Sequence, residues 1–210
     1  MEAIKVSSEH VVESDFIDKK TNKRCLVVFN RMGIRCGYVE KHKELQKKKY
    51  INNDSLKVLK YENDNVALNA MVLAQRRQEM DYNTLDIDYI VHGGITFEGE
   101  MINSERTKTS VLGFDFGHLS DKHDIKAYKK YFGSNESMLK AFLQEDALYT
   151  FGGRNKKVAT VKDVEIECIE LAKQMMQAEN IYLRKEREEK TKKWKYSNKK
   201  EKRWKQRKER

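Results

Sequence analysis

Proline is absent from the 210 residues, so no proline-rich linker divides the chain and no X-Pro bond can slow its folding. Cysteine is scarce. Cys25, Cys36 and Cys168 are odd in number and lack C-x-x-C spacing, which argues against a disulfide framework and a cysteine zinc site and leaves buried free thiols as the plain reading. No stretch of about 18 apolar residues is present to cross a bilayer. The opening Met1-Glu2-Ala3-Ile4-Lys5 lacks the apolar run of a secretory signal, so the expectation is a soluble, cytoplasmic protein. A Walker loop, a dinucleotide fingerprint, a nucleophile elbow and zinc-finger spacing are also missing, which argues against large classes of enzyme.

What is present is charge, and it is unevenly placed. Charged residues make up 36% of the chain against 39% hydrophobic, enough apolar material for a core beneath a heavily charged surface. The length suits one domain with an extension, or two small ones. From residue 181 to 210 there are 15 Lys and Arg against 5 Glu, whereas the preceding residues carry 28 of each sign. The body is therefore formally neutral, and the whole net charge of +10 belongs to a tail.

Local patterns predict an α+β fold: a compact, mainly antiparallel sheet with packed helices and a long C-terminal helix extended by a basic tail. Residues 1–20 show no clear period and read as a lead-in, 21–183 as the α+β domain, and 184–210 as a helical or disordered basic tail. Arg24 to Phe29 and Gly33 to Val39 are β-branched, aromatic-bearing runs around Asn30-Arg31-Met32, the pattern of a hairpin. Lys41 to Lys49 is lysine-rich and reads as a solvated loop. Asn63 to Met80 predicts a helix with an Asn or Asp cap. Leu85 to His92, Ile95 to Phe97 and Thr109 to Phe116 predict strands, and Ser134 to Leu148 a short helix closed by a glycine turn at Phe151-Gly152-Gly153-Arg154. Thr160 and Asp163 stand as a capping pair before Val161, Val164, Cys168, Leu171, Met175, Ala178 and Tyr182, which step by three and four. Ile169, Ala172 and Met176 widen that stripe, favouring packing on the chain's own sheet over a coiled-coil seam and leaving the oligomeric state open.

Two glycine-bearing strings concentrate the chemistry. Val91-His92-Gly93-Gly94-Ile95-Thr96-Phe97 can offer the backbone N–H groups of Gly93 and Gly94 to an anion, with the His92 imidazole and the Thr96 hydroxyl beside them. A phosphorylated small ligand fits this pattern; the competing reading is a tight turn that needs glycine for φ alone. The second string runs from Gly113 through Asp115, Gly117, His118 and Asp121. On one continuous strand Asp115 and His118 would face opposite ways, so they can share a site only if the chain turns near Gly117. A helical turn would then gather His118 and Asp121, with Asp124 in the same row and His123 nearby. With His92 this makes a candidate His/His/Asp/Asp cluster for general acid and base chemistry or for a divalent metal, against the plainer reading of a structural hydrogen-bond network. Glu98 and Glu100 are reserve candidates.

The tail interleaves aromatics with base: Lys193, Trp194, Lys195, Tyr196, Arg203, Trp204 and Arg207 can neutralise phosphates and stack on unpaired bases. An anionic membrane surface, an acidic protein, or a merely solubilising extension are the alternatives.

The succession Gly37-Tyr38-Val39, His92-Gly93-Gly94-Ile95-Thr96-Phe97, Gly113-Phe114-Asp115 with His118 and Asp121, and Glu167-Cys168 with Leu171-Ala172-Lys173-Gln174 resembles a family of small, uncharacterised bacteriophage proteins over roughly residues 24–178. The family pattern looks like GYV, HGGLT(Y/F), GFDCAHxGD and ECxxLAxQ. This chain departs from it at Val111-Leu112, where the family has aromatics, and at Phe116, Gly117 and Ser120, where it has Cys, Ala and Gly; these changes argue against a cysteine role there. The resemblance implies phage origin, action in the bacterial host's cytoplasm, and a role against the host or its defences, with no assigned activity. Three functions stand as expectations: a phage accessory protein that binds, or also hydrolyses, a phosphorylated small molecule or nucleotide in the His/Gly/Asp pocket; a nucleic-acid-binding protein acting through its tail; and an inhibitory or protein-interaction module.

Overall fold

Apolar runs up to Asp115 form, among the described residues, a six-stranded sheet in which every paired neighbour is antiparallel, in the order β1-β2-β3-β4-β6-β5. The strands are β1 (Ile4–Lys5), β2 (His10–Asp18), β3 (Lys23–Asn30), β4 (Arg35–Glu40), β5 (Phe97–Ile102) and β6 (Lys108–Asp115). Among the described residues three α-helices follow: α1 (Ile125–Phe132), α2 (Glu136–Thr150) and α3 (Val161–Lys208). The computed structural model describes residues 2–51, 85, 87–118, 121–150 and 157–208.

The predicted hairpin is β3-β4. Its turn needs a left-handed backbone at Gly33 (φ 78°), while Asn30 ties the turn together: its N–H donates to the Ile34 carbonyl and its side-chain oxygen accepts from the Met32 N–H. The segment 1–20, read from sequence as a lead-in, holds β1 and the nine-residue β2. Its apolar period was hidden because a register shift between Val12 and Ser14 breaks the alternation, as a bulge does. Leu85 to His92 also departs from expectation: residues 87–91 carry no strand pairing, and 92–93 form a turn. The predicted helix at Asn63–Met80 and the glycine turn at Phe151–Arg154 lie outside the described residues.

One sheet face is covered by α3. Val164, Cys168, Leu171, Ala172 and Met175 pack on Cys25, Val27, Val39, Leu112 and Phe114 in one buried cluster, so the widened stripe faces the chain's own sheet. The approach is close because position 37 is glycine: a Cβ there would stand 2.3 Å from the Phe114 ring and 2.8 Å from Cys168 Sγ. Residues of β2 and β3 at the opposite register, Val12, Leu26 and Val28, join Cys36, Tyr38 and Val111 in a second cluster. A third sets Val11 and Phe29 against Ala127 and Tyr128 of α1 and Phe142 of α2. All three cysteines are buried and unbridged. Burial pushes the Cys25 and Cys36 thiols up to about 12, which keeps them unreactive.

Thr160 and Asp163 form the expected capping box: the Thr160 N–H and hydroxyl both donate to the Asp163 carboxylate, and the Asp163 N–H donates back to Thr160 Oγ1. From that cap α3 runs 48 residues, about 70 Å at 1.5 Å per residue. Its last buried apolar side chain is Leu183. Beyond it, the helix continues on charge pairs such as Arg184–Glu188 and Lys190–Glu186, four-residue steps that support a solvated helix.

Candidate functional site

The two glycine-bearing strings meet at one end of the sheet. The first makes its turn with positive φ at Gly93 (67°) and Gly94 (84°), closed by the Gly94 N–H donating to the Val91 carbonyl. The second leaves the sheet after Asp115, whose carboxylate accepts from the Gly117 N–H at 2.9 Å in the manner of an Asx turn. The turn near Gly117 that shared geometry requires is therefore present, and it leaves His118 Nε2 3.8 Å from Asp115 Oδ1.

Asp121 joins the strings. Its Oδ2 is 2.8 Å from His92 Nε2 and accepts from the His118 N–H at 3.0 Å, and its own N–H donates to the His118 carbonyl. The His92 ring lies flat on Phe116, centroids 4.2 Å apart, and 5.5 Å from the His118 ring. Burial lowers the His92 pKa and the Asp121 hydrogen bond and charge raise it further than burial lowers it, so the net shift is upward from 6.5. His118 Nε2 is buried and, among the described residues, has no hydrogen-bond partner. It occupies the room beside Gly93, where a Cβ would lie 1.5 Å from that nitrogen.

Chemically, His92 and Asp121 form an imidazole–carboxylate dyad with a second imidazole beside it. The space above Gly93 is filled by His118, so the double glycine serves close packing there; of the two, Gly94 has the open room, with no atom of the described residues within 4 Å of where a Cβ would stand. Among the described residues, no group of three or more His, Cys, Asp or Glu is arranged to hold a metal ion.

Other sequence candidates go elsewhere. Asp124, expected in the same row as His118 and Asp121, is the N-cap of α1, accepting from the Ala127 N–H, and it binds Arg35 at 2.7 Å. His123 turns to Asp146 at 2.9 Å and stacks on Phe142. Thr96 lines a different cavity of about 410 Å³, beside Lys47, Lys49 and Glu98. Glu98 holds Lys41 and accepts from the Tyr50 N–H, whereas Glu100 pairs with Lys108 on the surface.

Sequence reasoning missed two buried charge clusters. Arg35 binds Glu13 and Asp124 at 2.6 and 2.7 Å and the Ala159 carbonyl at 2.7 Å. Glu179, only 1% exposed, accepts from Lys23 Nζ at 2.8 Å, the Tyr50 hydroxyl at 2.6 Å and the His42 N–H at 3.0 Å. The available signal was a carboxylate within the apolar stripe, between Met175 and Leu183 at four-residue steps.

The tail aromatics stand in solvent. Trp194, Tyr196 and Trp204 are 65%, 74% and 56% exposed, and they are carried on one continuous helix with the anchored half of α3. At 100° per residue, Tyr196 and Trp204 point about 200° and 280° around the axis from Trp194, and the basic positions from Lys190 to Lys208 fall on every side. That distribution lacks the segregated apolar face of an interfacial helix. Among the described residues no helix is long and apolar enough to cross a membrane. No family model, curated protein or solved structure matches the chain.

Proposed function

We propose that this protein binds nucleic acid through the exposed half of α3, with the sheet serving as a rigid mount. The observation that carries the reading is one helix in two environments: Val164 to Leu183 is buried against the sheet, and the stretch beyond carries the entire charge excess and both tryptophans, which are exposed. A helix this short and this charged would be marginal alone. Continuity with the anchored half nucleates it, so less ordering entropy is lost on binding.

From Lys190 to Lys208 there are 11 Lys and Arg against one Glu, over about 28 Å of helix. Charge on all sides suits a strand that wraps, and exposed indole and phenol rings stack on unpaired bases, contributing about 1–3 kcal/mol per base. Single-stranded nucleic acid is thus the favoured partner. If half of the cations meet phosphates, log K falls with log salt at a slope of about −4. The test is a titration of labelled oligothymidylate and a matched duplex across salt. Binding with that slope, tighter for the single strand and weakened by Trp194→Ala and Trp204→Ala, supports the reading; salt-independent binding or none refutes it. Taken with the resemblance to small bacteriophage proteins, the reading puts the protein in the host cytoplasm, acting on phage or host nucleic acid or on a defence that uses it.

A second reading is a phosphorylated small ligand, a nucleotide included, at His92, His118 and Asp121. It is favoured by His118 Nε2, which has no hydrogen-bond partner among the described residues, and by the open side of Gly94. A ligand at 100 times its Kd would stabilise the fold by about 2.7 kcal/mol. Thermal shifts with inorganic phosphate and a nucleotide panel test it: a shift lost in His118→Ala and His92→Ala supports binding, and phosphate release lost in the same variants would extend it to hydrolysis. No shift with any of them sinks it.

A further inference from the structure

We infer that the lysine-rich segment Lys41–Lys49, which follows β4 and contains the short helical turn Lys43–Leu45, is a second part of the nucleic-acid interface, a phosphate-binding platform on the body at the root of the tail. This rests on the tail reading above.

Sequence alone makes Lys41 to Lys49 a solvated loop. The structure makes it a fixed one. Lys41 is 5% exposed; its ammonium binds Glu98 at 2.8 Å, donates to the Lys48 carbonyl and lies over the Tyr50 ring. Glu98 also accepts the N–H groups of Tyr50 and Ile51, and Glu179 of α3 accepts from the His42 N–H and the Tyr50 hydroxyl. Both ends of the loop are thus fastened by carboxylates, a half-buried one on β5 and a buried one on the helix that becomes the tail.

The lysines between those fastenings are turned outward. Lys47 and Lys49 are exposed and, among the described residues, have no acidic partner. They line the cavity of about 410 Å³ whose wall includes Thr96, Ser110 and Gln46, a hydroxyl and amide lining that can donate to phosphate oxygens. The two acids of that cavity are already neutralised, Glu98 by Lys41 and Glu100 by Lys108 at 3.2 Å. Lys48 connects the platform to the tail. Its ammonium sits over Tyr182 and 3.7 Å from Glu186, and the same carboxylate is 3.7 Å from Lys190, the first lysine of the dense basic run. A strand held along the tail reaches Lys47 and Lys49 without crossing acidic surface at Glu186, because that carboxylate is shared between two lysines.

The test uses the full chain and the same labelled oligothymidylate. Lys47→Ala/Lys49→Ala removes two exposed cations, so the melting temperature should hold. Each lost phosphate contact lowers the salt slope by about 0.7, a factor of about 5 at 0.1 M salt relative to 1 M. The double variant should therefore bind about 25-fold more weakly at 0.1 M, with a slope shallower by about 1.4. Acetylation footprinting of the wild type should show Lys47 and Lys49 protected by the oligonucleotide. Wild-type binding with unchanged slope in the double variant and no protection overturns the platform while leaving the tail reading intact; absence of binding by the wild type overturns both.

Discussion

Removing the Glu179 carboxylate should cost more stability than any other single carboxylate deletion in α3. Glu179→Ala would strand the Lys23 ammonium, whose side chain is 7% exposed and whose only other polar contact among the described residues is the Glu40 carbonyl at 3.0 Å. It would also leave the Tyr50 hydroxyl without its acceptor and shift the His42 N–H onto the Tyr50 oxygen, 3.2 Å away. Breaking a buried pair from one side costs about 3–5 kcal/mol, mostly because the surviving charge stays uncompensated. For a chain of this length that corresponds to a melting temperature lower by roughly 6–20 °C. Urea unfolding followed by far-UV circular dichroism should show a lower midpoint with an unchanged m-value. The double variant Lys23→Met/Glu179→Leu, which removes both charges, should recover most of the loss. A Glu179→Ala cost under about 1 kcal/mol, or a double variant as unstable as the single one, would refute the claim that this pair is buried and fastens the loop to α3.

Other outcomes follow from the same geometry. Thr160→Ala removes the hydroxyl of the α3 capping box and should cost about 1 kcal/mol by urea denaturation, with Thr160→Ser near neutral; no difference between the two would discount the cap. His92 has a folded-state pKa raised above its unfolded value, so its contribution is fully present below about pH 6.5 and is lost as pH rises through the higher folded value. Stability of the wild type relative to His92→Gln should accordingly decline on going from pH 6 upward, and a gap independent of pH would discount the His92–Asp121 pair. Gly93→Ala meets both a left-handed φ and the His118 ring. It should cost about 1–3 kcal/mol and displace the His118 imidazole resonances in NMR spectra; unperturbed resonances would contradict the packing of His118 on Gly93.

The parts of the molecule legible in sequence were those set by short-range chemistry. Asn30 and Gly33 announced the β3-β4 turn, the Thr160–Asp163 spacing announced the start of α3, and its three-and-four stripe announced the buried face. β2 escaped because a register shift at Val12/Ser14 interrupts the alternation by which strands are recognised. At the site, Gly117 correctly marked where the chain leaves the sheet, and His92, His118 and Asp121 do converge. What sequence could not supply is who fills whose space: that His118 sits over Gly93, that Thr96 faces a different cavity, and that Asp124 is committed to Arg35 and the α1 cap. Those are tertiary contacts between residues distant in the chain, as is Glu179 with Lys23, and no local pattern encodes a partner 156 positions away.

Both tryptophans lie in the exposed half of α3, so their emission reports on the proposed interface alone. Fluorescence titration of the intact protein with oligothymidylate at rising salt is the most direct measurement. The account predicts a solvent-like emission for the free protein, quenching on titration, and a log–log salt slope of about −4. Emission that does not change at low salt, or quenching that salt does not relieve, would contradict it.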